Sequence, residues 1–312
     1  MTHRKGRPQK RPPTERRGAQ LSSTPSLVEL ENFSGAGLAQ WRTGWNRYHE
    51  LYSELYFGLE RQRAQCADAI MDALRRNAAQ PLPLKGWARI VDYQYTLAPL
   101  SITGSLRSEG GRFNIGSRLN PAAFAPFGAL YIADSHATAF AEKFGVRQGE
   151  TRDGLSADDL LLRAPGSYSF VAIDGLIERC FDVGDRAALG DVVRVMAKFK
   201  MPSRVYQLAR TIRKVPPGLI QTASRLQTEL LLPTWNVLPL HFDLPANSQI
   251  FGRLVHAAGF HGIAYPSARG PGRCLALFPD NWGVSKSEIQ ITGKTPPEAR
   301  LVRVDGTTLV FE

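Results

Sequence analysis

The sequence is poor in cysteine and has no long apolar run. Its 312 residues contain three cysteines, Cys66, Cys180 and Cys274, which are far apart and form no CxxC pair. This argues against a disulfide scaffold or a cysteine-built zinc site and favours a reducing cytoplasm. No apolar stretch approaches the roughly 18–20 residues that span a bilayer. The basic start has no apolar segment behind it, so we expect neither a secretory signal nor membrane attachment.

Several familiar catalytic motifs are also missing. The sequence has no Walker-type Gly-Lys-Ser/Thr, no GxGxxG, no GxSxG elbow and no HExxH pair, and its six histidines are scattered. These absences argue against a P-loop nucleotidase, a Rossmann dinucleotide site, a serine hydrolase and a metal centre. We expect no metal. No repeat of 20–50 residues is evident either.

The positive charge is concentrated at the start of the chain. The net charge is +11, and the first 20 residues alone carry seven basic side chains and one acidic one. Residues 1–36 are rich in Pro, Gly and Arg and cannot bury enough apolar surface to order themselves, so we expect a disordered tail. Such a tail could contact nucleic acid or an acidic partner. A purely solubilising role is the favoured interpretation, because charge runs are usually solvated.

Apolar periodicity predicts a helical region over 37–80. Aromatic and leucine side chains recur there at steps of three and four from Trp41 onward, which indicates an amphipathic helix that packs on the following domain or on a partner.

After Pro83 the pattern changes to short strands and helices separated by Gly and Pro turns. The predicted strands are Trp87–Tyr95, Ala129–Ala133, Tyr168–Ile173, Gly262–Tyr265, Cys274–Phe278 and Leu301–Val304. The predicted helices are Ser135–Phe144, Asp191–Lys200, Gln221–Leu231 and Ser248–Ala258. Because they do not alternate as βαβ units, we predict an α+β domain over 81–312.

Two blocks in the first half of this domain carry candidate chemistry. GGRFN at 110–114 combines turn-permitting glycines with Arg112, whose planar cation suits phosphate oxygens. LYIA at 130–133 is followed by a helix bearing FAE at 140–142, in which Glu142 lies about 200° around the helix from Phe140. That position suits either a solvated glutamate or a carboxylate directed into a cleft beside Tyr131 and Arg112. Each block alone is a weak signal.

A third block, GFHGIAYPS at 259–267, places Ser267 where a strand ends. Its hydroxyl could meet a ligand there, or it could be an ordinary turn serine after a proline. GGRFN, LYIA with FAE, and GFHGIAYPS, in this order, resemble the RES-domain family, the toxin component of bacterial RES–Xre toxin–antitoxin pairs. The resemblance covers roughly residues 84–285.

The resemblance implies an ADP-ribosyltransferase-like fold of mixed or antiparallel sheets with flanking helices. It also implies an NAD⁺-consuming toxin that breaks the nicotinamide–ribose bond, needs no further cofactor, and is neutralised by an Xre-type antitoxin. By match to the family, Glu142 is the catalytic carboxylate and Arg112 holds the diphosphate and takes part in catalysis. Tyr131 stacks near the nicotinamide, Ser267 lines its pocket, and Arg89 is the first pocket arginine.

The chain departs from compact family members by its tail of 1–36, its helical appendage of 37–80 and an insertion of about 180–235. These additions leave the acceptor of the ADP-ribose open among water, phosphate and a protein. One alternative is therefore a mono-ADP-ribosyltransferase that modifies a protein. Another, of a different class, is a basic nucleic-acid or protein-binding module with an inactive RES-like core.

Overall fold

The computed structural model describes residues 35–145, 151–152, 155–156, 168–293 and 295–308. Most of the predicted basic tail of 1–36 lies outside these residues. The chain divides into the units Met1–Asn46 and Arg47–Glu312, and what the structure describes of the first is the beginning of helix α1. No helix in the described part of the chain combines the length and apolarity needed to cross a membrane.

The helices and strands have the following bounds. The helices are α1 (Gly35–Gln65), α2 (Ala67–Arg75), α3 (Thr103–Leu106), α4 (His136–Phe144), α5 (Arg186–Met196), α6 (Ser203–Thr211), α7 (Ala223–Leu230), α8 (Val237–Phe242) and α9 (Asn247–Ala257). The strands are β1 (Leu82–Asp92), β2 (Leu130–Ala133), β3 (Thr151–Arg152), β4 (Leu155–Ser156), β5 (Tyr168–Ile177), β6 (Cys180–Asp182), β7 (Gly262–Pro266), β8 (Arg273–Leu277), β9 (Glu288–Thr292) and β10 (Arg303–Asp305).

Eight of these strands form one mixed sheet in the order β10-β9-β5-β1-β2-β8-β7-β6, and β3 pairs with β4 separately. Neighbours in the large sheet are antiparallel, except that β6 and β7 run parallel. Helices α2, α5, α7 and α9 pack on one another, and α9 contacts β7. This arrangement confirms the predicted α+β fold class.

Both faces of the sheet are buried, and β2 shows why its sequence suits that position. Leu130 and Ile132 enter the core on one face, whereas Ala129 and Ala133 enter the core on the other, together with Ile70 and Leu74 of α2. Side chains alternate across a strand, so a strand buried on both faces is apolar at nearly every position. We call the face that carries Ala133 the helical face.

The element boundaries differ from the sequence prediction where local polar contacts decide them. The helix predicted from Asp191 begins at Arg186, because the side chain of Asp185 accepts hydrogen bonds from the backbone N–H groups of Ala187 and Ala188. The strand predicted from Trp87 begins at Leu82, since its pairing with β5 continues through a bulge into the preceding PLPLKG segment. The elements β3, β4, β6, β9, α3, α6 and α8 were not predicted from the sequence.

Candidate active site

A cavity of about 250 Å³ lies on the helical face of the sheet. Four of the five predicted site residues line it: Arg89 from β1, Arg112 from the loop before β2, Tyr131 from β2 and Glu142 from α4. The other residues that line the cavity are Ala88, Ile90, Gly111, Ile132, Ala133, Ala139, Lys143, Trp235, Tyr265, Arg269 and Cys274.

Small side chains in one row across the sheet leave room for this cavity. Ala88 of β1 is paired with Ala133 of β2, and Ala133 is paired with Cys274 of β8. Residues paired directly across antiparallel strands project from the same face. The floor of the cavity is therefore built from two methyl groups and a thiol, and α4 crosses above it against β1, β2 and β8.

The GGRFN loop is held in a tight turn that places Arg112 and Tyr131 together. Gly110 has φ +98°, and a Cβ there would lie 2.2 Å from the carbonyl oxygen of Asn114, so the turn requires glycine. A Cβ on Gly111 would lie 2.5 Å from the ring of Tyr131. The two glycines therefore allow the loop and Tyr131 to lie in close contact.

Two amides that the sequence analysis did not single out organise this loop. Asn114 is fully buried, and its side-chain nitrogen donates to the carbonyls of Ser105 and Phe127, while its oxygen accepts from the N–H of Gly111 at 2.7 Å. Gln249 of α9 is also fully buried and donates to three loop carbonyls. Because a buried amide without partners is costly, these contacts fix the loop conformation.

Tyr131 presents its ring to the cavity while its hydroxyl is used by the loop. The hydroxyl donates to the side-chain oxygen of Asn114 and accepts from the N–H of Phe113, both at 2.9 Å. Burial raises the pKa of Tyr131 above its ordinary value. The phenol therefore stays neutral at physiological pH, and its ring is the part that a ligand can contact.

Arg112 is a buried cation in the cavity wall, with 6% of its surface exposed. Its Nη1 donates to the carbonyls of Leu230 and Leu232 at 3.1 and 2.8 Å, and its guanidinium lies 6.0 Å from the ring of Trp235. No carboxylate among the described residues pairs with it. Backbone carbonyls therefore occupy Nη1 of Arg112, and the rest of its guanidinium is available to an anion.

Arg89 also lines the cavity, but both of its terminal nitrogens donate to the backbone. Nη1 donates to the carbonyl of Tyr131 at 3.3 Å and Nη2 to that of Ser101 at 2.9 Å, while its buried Nε has no hydrogen-bond partner among the residues that the structure describes. Burial lowers the pKa of Arg89 to about 10, which leaves it charged at neutral pH. These contacts brace the strand that carries Tyr131.

Glu142 is fixed by the loop that follows β7. Its Oε1 accepts a hydrogen bond from the Ser267 hydroxyl at 2.5 Å and another from the Ala268 N–H at 2.9 Å. Its Oε2 accepts none from the described residues. Of the two interpretations left open for Glu142, the structure supports the carboxylate in a cleft. Ser267 lies beside the cavity and reaches it through this carboxylate.

Four charged or aromatic residues of the cavity wall, Lys143, Trp235, Tyr265 and Arg269, were not predicted as site residues from the sequence. Lys143 follows Glu142 and is paired with Asp92 at 2.7 Å. Trp235 lies at the end of the stretch predicted as an insertion, and no sequence signal connected it with Arg112. Arg269, two residues after Ser267, could have been suspected from that spacing alone. The described residues contain no group of three or more His, Cys, Asp or Glu side chains arranged for a metal ion.

Part of the chain matches a known family model. Residues 186–301 match the family model of the RES domain, which confirms the resemblance predicted from the order of the motifs. The matched range contains GFHGIAYPS and begins after GGRFN and LYIA. The chain is also similar to a solved structure, the crystal structure of the M. tuberculosis MbcT–MbcA toxin–antitoxin complex, at 16% identity and a TM-score of 0.41, over 76% of this chain and 91% of that one. No curated protein matches the chain.

Proposed function

We propose that this protein is an NAD⁺-consuming enzyme of the RES type, which cleaves the bond between nicotinamide and ribose. The observation that carries the proposal is the convergence of Arg112, Tyr131 and a fixed Glu142 on one cavity. A cation for phosphate, an aromatic ring for a planar cationic base and a carboxylate for a sugar are what this substrate requires. The RES domain match supports the same assignment.

Glu142 has the main chemical role. As the nicotinamide–ribose bond breaks, its electron pair leaves with the nicotinamide nitrogen and positive charge develops on the ribose. A nearby carboxylate stabilises that charge, and its free Oε2 can bind the ribose hydroxyls. Ser267 and Ala268 hold Oε1, so the carboxylate is oriented before the substrate arrives. Pre-orientation of this kind lowers the entropic part of the barrier.

The cavity volume bears on how much of the dinucleotide is enclosed. Small-molecule sites commonly have volumes of about 300–1,000 Å³, and this cavity has about 250 Å³. It therefore suits the nicotinamide riboside end and the diphosphate, and we expect the adenosine to extend past the rim. The buried Arg112 and the half-buried Arg269 provide positive charge where the phosphates would enter.

With water as acceptor, its oxygen bonds to the ribose carbon, and the products are ADP-ribose, nicotinamide and a proton. With phosphate as acceptor, the sugar product is the phosphorylated ADP-ribose instead. We propose that a small acceptor is used, and that the protein is a cytoplasmic toxin restrained by a cognate antitoxin. Modification of a target protein is the alternative outcome of the same bond cleavage.

The experiment is incubation of the purified full chain with NAD⁺ labelled in its adenosine half. Nicotinamide release with the label recovered in free ADP-ribose or its phosphorylated form supports the proposal. Label found on protein favours the mono-ADP-ribosyltransferase. If nicotinamide is not released and no label is transferred, the enzymatic proposal fails and a binding module with an inactive core remains.

A further inference from the structure

Three arginines line the cavity, and they differ in how many of their donors the protein uses. Arg89 donates from both terminal nitrogens to backbone carbonyls. Arg112 donates twice from Nη1. The guanidinium of Arg269 makes no hydrogen bond or ion pair with any residue in the described ranges, although it is half-buried in the cavity wall. All the donors of the Arg269 guanidinium are therefore available to a ligand.

The backbone of Arg269 is held in place by the same contacts that fix the catalytic carboxylate. It lies in the turn between β7 and β8, which is closed by a hydrogen bond from the Ser267 N–H to the Gly272 carbonyl at 2.8 Å. The Arg269 N–H donates to the Ser267 hydroxyl at 3.1 Å, and that hydroxyl donates to Glu142. The backbone of Arg269 is therefore tied to Glu142 through Ser267, and its side chain extends from that position along the cavity wall.

The turn is also packed tightly against the helix that carries Glu142. A Cβ on Gly272 would lie 2.1 Å from the hydroxyl oxygen of Thr138 in α4. Gly272 therefore lies in close contact with α4, which limits how far the turn can move toward the helix. The one long cationic side chain of this turn, that of Arg269, therefore extends along the cavity wall from a segment packed against α4.

We propose that Arg269 is the principal diphosphate-binding residue of this site, ahead of Arg112, whose Nη1 is held by the backbone. The inference rests on the proposed function for the identity of the ligand. A guanidinium with five uncommitted donors can form a bidentate contact with phosphate oxygens. Arg112 then contributes positive charge from the cavity wall, and Arg89 stabilises the strand that carries Tyr131.

The test uses the full chain with Arg269→Ala, and Arg300→Ala as the matched control. Arg300 is exposed and is not among the residues that line the cavity, and its side chain likewise makes no hydrogen bond or ion pair with the described residues. The first measurement is the dissociation constant for ADP-ribose, by titration calorimetry. We expect about a 10- to 100-fold weakening for Arg269→Ala, the usual effect of losing a hydrogen bond between charged groups, and no change for the control.

The second measurement separates KM from kcat for NAD⁺ cleavage. A diphosphate contact predicts a raised KM with kcat within a few-fold of wild type. The inference is overturned if Arg269→Ala binds ADP-ribose as wild type does, if wild type does not bind ADP-ribose, or if kcat alone falls. If wild type binds ADP-ribose through Arg269 but releases no nicotinamide, the proposed function fails and the binding inference stands. Unchanged thermal unfolding shows that the variant has folded.

Discussion

Removal of the Ser267 hydroxyl tests whether Glu142 must be held by its loop. Ser267→Ala deletes the 2.5 Å hydrogen bond to Oε1 and the acceptor of the Arg269 N–H, while the 2.9 Å bond from the Ala268 N–H remains. A hydrogen bond to a charged group contributes about 1.5–3 kcal/mol. Since about 1.4 kcal/mol corresponds to a tenfold change in rate, we expect kcat to fall about 10- to 100-fold.

The assay is the initial rate of nicotinamide release over a range of NAD⁺ concentrations. Ser267→Thr keeps a hydroxyl at this position and should recover a substantial part of the lost rate. Ser203→Ala removes an exposed hydroxyl that does not line the cavity and should leave the rate unchanged. A Ser267→Ala enzyme within twofold of the wild-type kcat would refute the argument that the serine positions the carboxylate.

Two further predictions concern the loop and the core. Gly111→Ala should lower the free energy of unfolding by about 1–3 kcal/mol, since its Cβ would meet the Tyr131 ring, whereas Gly190→Ala, with open space around it, should be neutral or stabilising in the same denaturant titration. Burial and a neighbouring arginine lower the pKa of His261 below its ordinary 6.5. The unfolded chain therefore binds a proton that the folded one does not, and stability should fall as the pH drops below about 6.5. The difference between the midpoint temperatures of thermal unfolding at pH 5.5 and pH 7.5 should be smaller for His261→Gln than for wild type or His49→Gln. Equal differences would contradict this prediction.

Local patterns predicted much of the scaffold because they report local physics. The helix predicted over Ser135–Phe144 is observed with Ser135 as its N-cap, and the Ser135 hydroxyl accepts a hydrogen bond from the Thr138 N–H. Each of the six predicted strands has an observed counterpart, with shifted ends. The missed strands are short, or depend on pairing with distant partners, as β9 does with β5 and β10.

The site could be predicted only in part, because its contacts join distant segments. Periodicity showed that Glu142 leaves the side of the helix occupied by Phe140, but not that a turn 125 residues later would bind its carboxylate. The resemblance named Arg112, but its contacts with the carbonyls at 230 and 232 depend on a segment with no recognisable motif. The spacing from Ser267 could indicate that Arg269 lies near the site, but its uncommitted guanidinium is seen only when the hydrogen-bond partners of the cavity arginines are compared.

The most direct test of the central claim compares nicotinamide release from NAD⁺ by wild type, Glu142→Gln and Glu298→Gln. Glutamine keeps the size of the side chain at Glu142 and removes its charge, while Glu298 is exposed and outside the cavity. We predict release by wild type and Glu298→Gln, and a rate about 10²- to 10³-fold lower for Glu142→Gln, the usual effect of losing one electrostatic contact to the transition state. Equal rates for wild type and a folded Glu142→Gln enzyme would contradict the account.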